Sequence, residues 1–172
     1  MWRILFARVD DRLIHGQVMT QWVKGFPSCE AIVIIDKVLA NDEYMKNVCK
    51  MAAPSEILVE VLSIDEAIKE FPKDEPKERR SFLLFKDVAS VKEAIIKGLP
   101  IKSLDIGGSA KAPGKKVIIP SVSLSDEEME MLRTLNQDFG VEIYFQMVPT
   151  NAKFSLSHAI SLFGLQQLKK IT

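Results

Sequence analysis

Arg8, Asp10, Asp11, Arg12 and His15 crowd into one short stretch, Arg8-Val9-Asp10-Asp11-Arg12-Leu13-Ile14-His15-Gly16-Gln17. These residue types suit the handling of a phosphoryl group. An imidazole can be a nucleophile or a general base near neutral pH. Two guanidinium groups, Arg8 and Arg12, can offer forked donors to anionic oxygens. A carboxylate from Asp10 or Asp11 can orient the imidazole by accepting its other N–H. Gly16 permits a tight turn and a close backbone approach, and Gln17 opens the helix that follows. His158, the other histidine, has no comparable neighbours. No Gly-rich loop ending in Lys-Ser/Thr and no GxGxxG follows the first strand, so the nucleotide-binding signatures are missing.

The elements that must position these residues alternate between apolar runs and helix-period segments. Trp2–Val9 reads as a strand, and Gly16–Lys24 as a short helix with Val18, Met19, Trp22 and Val23 on its apolar side. Residues 31–36 (AIVIID) are apolar on both faces, as a parallel strand covered on both sides requires. Asn41–Met51 reads as a helix with Met45, Val48 and Ala52 facing inward, stopped by Pro54. Ile57–Leu62 is a third strand. Ser63 and Glu66 form a capping box that opens a helix to Phe71. Pro72–Arg80 reads as a polar loop, Ser81–Lys86 as a strand and Val88–Lys97 as a helix. Ser103–Ile106 and Val117–Ile119 are short strands, with Gly107-Gly108 read as a simple turn. Ser125 caps a helix over Asp126–Asp138, whose acidic first turn suits the helix dipole. Val141–Val148 is the last strand, and a helix over Ala159–Lys170 makes residues 151–172 a C-terminal helical extension of a single domain spanning 1–172. Strands separated by helices indicate an α/β fold, doubly wound, with a mostly parallel sheet and helices on both faces. In such sheets ligands gather beyond the carboxyl ends of the strands, where the Asp10–Gln17 loop falls.

The chain has 172 residues, 23 lysines and arginines against 23 aspartates and glutamates. Net charge near zero argues against general nucleic-acid binding. No apolar stretch approaches the length of a membrane span, and charge interrupts the N-terminus too early for a signal peptide. Cys29 and Cys49 form no ligand motif and read as buried small hydrophobes of a reducing cytosol. No motif requires a metal or cofactor. Between Lys97 and Lys116 five lysines stand against Asp105, and between Ser125 and Glu142 six carboxylates stand against Arg133. The basic segment either attracts an anionic partner or balances the acidic helix.

The block Arg8-Val9-Asp10-Asp11-Arg12-Leu13-Ile14-His15-Gly16-Gln17-Val18, with Trp22 one turn on, resembles the active-site signature of the IIB component of the mannose/fructose/sorbose class of the bacterial sugar phosphotransferase system. The resemblance extends through Ile34-Ile35-Asp36, Met51-Ala52-Ala53-Pro54, Leu83-Leu84-Phe85-Lys86, Asp105-Ile106-Gly107-Gly108 and Gln146-Met147-Val148-Pro149-Thr150. It implies a phosphocarrier whose histidine accepts a phosphoryl group from a phosphorylated IIA protein. The group then passes to a sugar held by the membrane IIC and IID components. Carried over, His15 is the phosphohistidine, modified on Nδ1. Arg8 and Arg12 neutralise the phosphoryl charge, and Asp10, Gly16 and Gln17 shape the loop. Asp11 is the other candidate for orienting His15. The implied place of work is the cytoplasm, peripherally at the membrane components, and a homodimer stays open. Asp105 and Ser109 stand where the family usually has asparagine and methionine. A sensor domain binding a phosphorylated small molecule is the alternative, and it would keep its mass unchanged.

Overall fold

A computed structural model describes residues 2–16, 18–71 and 79–168. Seven strands form one sheet: β1 (Trp2–Asp10), β2 (Ala31–Ile35), β3 (Leu58–Leu62), β4 (Arg79–Phe85), β5 (Ser103–Gly108), β8 (Glu142–Phe145) and β9 (Phe154–Ser155). Their spatial order is β3-β2-β4-β1-β5-β8-β9. All neighbours are parallel except β8 and β9. Parallel alignment puts the carboxyl ends of β1 to β5 and β8 on one edge. A separate hairpin pairs β6 (Lys116–Ile119) with β7 (Val122–Leu124).

Among the described residues six α-helices accompany the sheet: α1 (Lys37–Ala40), α2 (Glu43–Met51), α3 (Ile64–Glu70), α4 (Val88–Ile96), α5 (Asp126–Phe139) and α6 (Leu156–Leu168). One face of the sheet packs Ala7, Val9, Leu104 and Ile106 against Ala67 of α3, Val91 of α4, Leu132 of α5 and Phe163 of α6. The other packs Phe6, Ile32, Ile34 and Leu84 against Val18, Trp22, Ala40 and Cys49. Helices therefore cover both faces. All five residues of β2 are buried, as a central parallel strand requires. Each fully buried Ile or Val contributes about 1.5–3 kcal/mol.

Several local expectations are corrected. Val18–Val23 is a π-helical segment, not an α-helix. Short α1 was not foreseen; Asp36, at the end of the buried strand, caps it by accepting from the amides of Val38 and Leu39. On α2 it is Cys49 that is buried, while Val48 is exposed, so the inward face is turned from the expected one. Gly107 and Gly108 end a strand and are not a turn. Arg79 and Arg80 begin β4, and the remainder of the expected loop, 72–78, lies outside the described residues. The last helix begins at Leu156, three residues earlier than expected, and its final expected residues lie outside the described range. Leu156, Ala159 and Phe163 seat it in the first core. Both capped helices form as expected, with Ser63–Glu66 and Ser125–Glu128 closing reciprocal boxes. Both cysteines are free and buried.

Candidate functional site

The site grows out of the end of β1. Successive strand residues point to opposite faces. Ala7 and Val9 go into the first core, while Phe6, Arg8 and Asp10 project to the face lined by Trp22. The chain then turns back, with the Leu13 amide donating to the Asp10 carbonyl at 2.9 Å. Leu13 closes this turn with φ of 55°, a left-handed conformation that costs a branched residue roughly 1–2 kcal/mol. Its side chain is buried in the same core as Trp22, which offsets that cost. The turn brings His15 back over Asp10.

Asp10 is the hub. Its Oδ2 lies 3.2 Å from Nε2 of His15. The same oxygen accepts from Nε and Nη2 of Arg8, at 3.3 and 3.0 Å, and from Nη2 of Arg12 at 3.2 Å. Its Oδ1 accepts from the backbone N–H and Nε of Arg12 at 3.2 and 3.0 Å. Asp10 and Arg8 are fully buried, His15 is 19% exposed and Arg12 is 45% exposed. Burial pushes the Asp10 carboxyl upward. The hydrogen bond from Arg12, the Arg8 charge and the hydrogen bond from His15 together outweigh burial and hold it below the ordinary value. Asp10 is thus an anion that accepts from the Nε2 side of the imidazole. That leaves Nδ1 as the ring nitrogen turned away from the clamp.

Arg8 spends all five of its N–H donors on the protein. Besides Asp10, it donates to the Asp105 carboxylate and the Gln146 carbonyl through Nη1, and to the Met147 carbonyl through Nη2. Its guanidinium lies 4.8 Å from the Trp22 ring centroid, and Trp22 stacks on Phe6 at 4.6 Å. The structure therefore places Arg8 beneath the site as a support, and Arg12 at the rim. Asp105 is held between Arg8 and the Gln146 amide, which donates to it at 2.9 Å. Burial pushes its carboxyl up, to about 7, against the pull of Arg8.

Gly107 and Gly108 make this packing possible. A Cβ on Gly107 would fall 1.8 Å from the Arg8 guanidinium carbon, and one on Gly108 would fall 2.4 Å from Oδ1 of Asp10. The β1–β5 register also slips here, from Val9–Ile106 to Asp10–Gly108, a bulge that re-aims the strand end. Gly107→Ala is expected to expel the Arg8 side chain and cost roughly 1–3 kcal/mol or more. Thermal unfolding checks this. Gly16→Ala, where a Cβ meets nothing within 4 Å, is the mild comparison. A Cβ at Gly16 would thus point into open space next to His15 in the chain.

The remaining expected residues fall as follows. Asp11 does not reach His15; its carboxylate accepts from the Ala110 amide at 2.7 Å and ties the loop to the segment after β5. Gln17 lies outside the described residues. His158 is exposed, against Phe154. Lys115 pairs with Glu128 at 2.9 Å and Lys116 with Asp126 at 2.8 Å, so these two lysines serve the acidic helix α5 directly. Lys111 is exposed and lines a hollow with Asp11, Lys86 and Ser109. Among the described residues no group of three or more His, Cys, Asp or Glu could hold a metal ion, and no helix is long and apolar enough to cross a membrane. Sequence reasoning assigned no role to the Gln146–Asn151 turn, which supplies two carbonyls to Arg8. The Gln146 side chain braces it by donating to the Pro149 and Asn151 carbonyls.

Comparison with known proteins gives the chain a family and its fold close counterparts. A family model described as the sorbose-subfamily IIB component of the PTS system matches residues 4–170. The crystal structure of manxB from Thermoanaerobacter tengcongensis superposes with a TM-score of 0.86 at 49% identity, covering 94% of this chain and 96% of that one. The fructose-specific EIIB component of Bacillus subtilis is 32% identical over 88% of this chain and 92% of its own length. The mannose-specific EIIAB component of Escherichia coli is 32% identical over 90% of this chain, which spans 47% of that longer protein.

Proposed function

We propose that this chain, which belongs to the sorbose-subfamily IIB components of the phosphotransferase system, carries its phosphoryl group on Nδ1 of His15. The observation that carries this reading is the hydrogen bond between Nε2 of His15 and buried, anionic Asp10. It fixes the proton of the neutral ring on Nε2 and leaves a lone pair on Nδ1. In the first step Nδ1 attacks phosphorus on the phosphohistidine of a IIA partner. The new P–N bond forms as the old one breaks, and the IIA imidazole leaves. Asp10 stabilises the positive charge that develops on the His15 ring. In the second step a sugar hydroxyl attacks phosphorus and the His15 nitrogen leaves. The hydroxyl proton passes to a base on the membrane side of the complex. Positioning and charge stabilisation carry most of the catalysis in such transfers.

Arg12 is assigned to the phosphoryl oxygens in this reading because its half-exposed guanidinium sits at the rim, held there by Nε and Nη2 on Asp10. Arg8 acts from below, by holding Asp10. Gly16 leaves room at His15 for the incoming group. The partners in this reading are a IIA protein and the membrane IIC and IID components with their sugar. The Escherichia coli relative, named as a joined EIIAB component, supports the first. The chain would work as a single domain on the cytoplasmic side, docking peripherally.

Incubation with phosphorylated IIA and mass analysis of the chain tests this. An acid-labile phosphoryl group on His15 is expected. Reversible binding of a phosphorylated small molecule with no change in mass would instead support a sensor. Arg12→Lys is expected to slow transfer. An ammonium cannot reproduce the fork, and a lost charge-assisted hydrogen bond of about 1.5–3 kcal/mol corresponds to roughly 10–150-fold in rate. Rapid-quench kinetics checks this, and unchanged kinetics would remove Arg12 from the mechanism.

A further inference from the structure

We propose that Asp105 is a positioning residue for phosphoryl transfer, acting on His15 through Arg8 and Asp10. The inference rests on His15 being the phosphoryl carrier. Asp105 never nears the surface: its side chain is 0% exposed. It sits on β5 beside β1, in register with Arg8. One carboxylate oxygen accepts from Nη1 of Arg8 and the other from the Gln146 amide. The opposite edge of the same guanidinium grips Oδ2 of Asp10 through Nε and Nη2. That same Oδ2 meets Nε2 of His15. The chain of contacts therefore runs Gln146 amide, Asp105, Arg8, Asp10, His15, and each link fixes the plane of the next.

Geometry assigns the role to Asp105 more than to the other Arg8 acceptors. The carbonyls of Gln146 and Met147 belong to a turn, and Trp22 covers only the face of the guanidinium. Asp105 is on a rigid strand paired on both sides. Besides Asp10 itself, it is the acceptor that ties the guanidinium to the sheet. Without it, Arg8 keeps one turn carbonyl on Nη1 and can tilt. Asp10 then loses its fixed orientation, and the preference for a proton on Nε2 of His15 weakens. A partner protein cannot touch Asp105, so any effect on transfer must arrive through this chain.

The test uses the full chain carrying Asp105→Ala and Asp105→Asn. Single-turnover transfer from phosphorylated IIA is followed over a range of IIA concentrations. The nitrogen shifts of the His15 ring are read in the unphosphorylated protein. Asp105→Ala is expected to lower the saturating transfer rate about tenfold or more, as for one lost charge-assisted hydrogen bond. The half-saturating IIA concentration should stay constant, and the His15 ring should become a mixture of tautomers. Asp105→Asn keeps an oxygen for Nη1 of Arg8 but none for the Gln146 amide, and should restore part of the rate and shift the ring back toward the single tautomer. Should Asp105→Ala fail to fold, Asp105→Ser, which withdraws the acceptor by about one bond length, carries the same expectation in weaker form. A folded Ala or Ser variant with the wild-type rate would overturn the proposal. So would a slowed variant with an unchanged tautomer, or an Asn variant no better than Ala. The tautomer readout requires no phosphoryl transfer. It therefore judges the positioning chain even if the wild-type protein accepts its phosphoryl group elsewhere than His15.

Discussion

His15→Gln is expected to remain folded and to accept no phosphoryl group from IIA. Its amide N–H₂ can still donate to Oδ2 of Asp10, so the clamp of Arg8, Asp10 and Arg12 keeps its sixth contact in kind. His15 is partly exposed, and replacements at exposed positions away from the core usually change stability by no more than about 0.5 kcal/mol. The chemistry has no such substitute. An amide nitrogen lends its lone pair to the carbonyl, so no nucleophilic nitrogen faces the phosphorus. Transfer should fall to the uncatalysed background, read as the absence of the acid-labile phosphorus signal after incubation with phosphorylated IIA. Equal labelling of the variant would remove His15 from the reaction. A wild-type label on Nε2 would contradict the clamp, because Asp10 occupies that side of the ring.

Much of this arrangement was legible in the sequence because it is local. A run such as AIVIID can hardly be anything but a strand buried on both faces, and β2 has no exposed residue. The capping boxes at Ser63 and Ser125 satisfy orphan helix amides within four residues. The cluster from Arg8 to His15 is likewise local. One strand, one turn and one histidine suffice to place it at the carboxyl edge, where α/β sheets bind ligands.

What stayed hidden depends on residues far apart in the chain. A glycine pair after a short apolar run reads as a turn. Its meaning is set by Arg8 and Asp10, whose side chains occupy the volume that a Cβ would need. Asp105, marked in the sequence only as a departure from the family's asparagine, has no visible partner until β5 pairs with β1 and brings it to Arg8, 97 positions away. The choice between Asp10 and Asp11 was undecidable for a related reason. Neighbouring residues in a turn differ only in direction. That direction is fixed by Ala110, which takes the Asp11 carboxylate. Lys115 and Lys116 found their partners across the β6–β7 hairpin on α5, a contact that composition suggested without locating.

Asp10→Ala is expected to damage the fold and the chemistry together, unlike His15→Gln. The substitution removes an anion that accepts from Arg8, Arg12 and His15, and leaves Arg8 fully buried with only three of its five donors still tied, to Asp105 and two carbonyls. Removing one partner of a buried ion pair costs about 3–5 kcal/mol, a large part of a typical total of about 5–15 kcal/mol. For a chain of this size each kcal/mol lowers the melting temperature by about 2–4 °C, so a fall of roughly 6–20 °C is expected by calorimetry. The effect should also depend on pH, with a definite sign. The arginines hold the Asp10 carboxyl below its unfolded value, so its stabilising contribution is present above the ordinary carboxylate range. That contribution is lost as pH falls through the lowered folded value. The gap between wild type and Asp10→Ala should therefore be widest near neutral pH and close in acid. A gap that is constant with pH would mean that Asp10 contributes through packing alone. Transfer should fall beyond what instability explains, even at low temperature where the variant is folded, because no carboxylate then fixes the proton on Nε2 or stabilises the charged ring. An Asp10→Ala protein that transfers at the wild-type rate when folded would leave the hub as architecture and would separate it from the chemistry at His15.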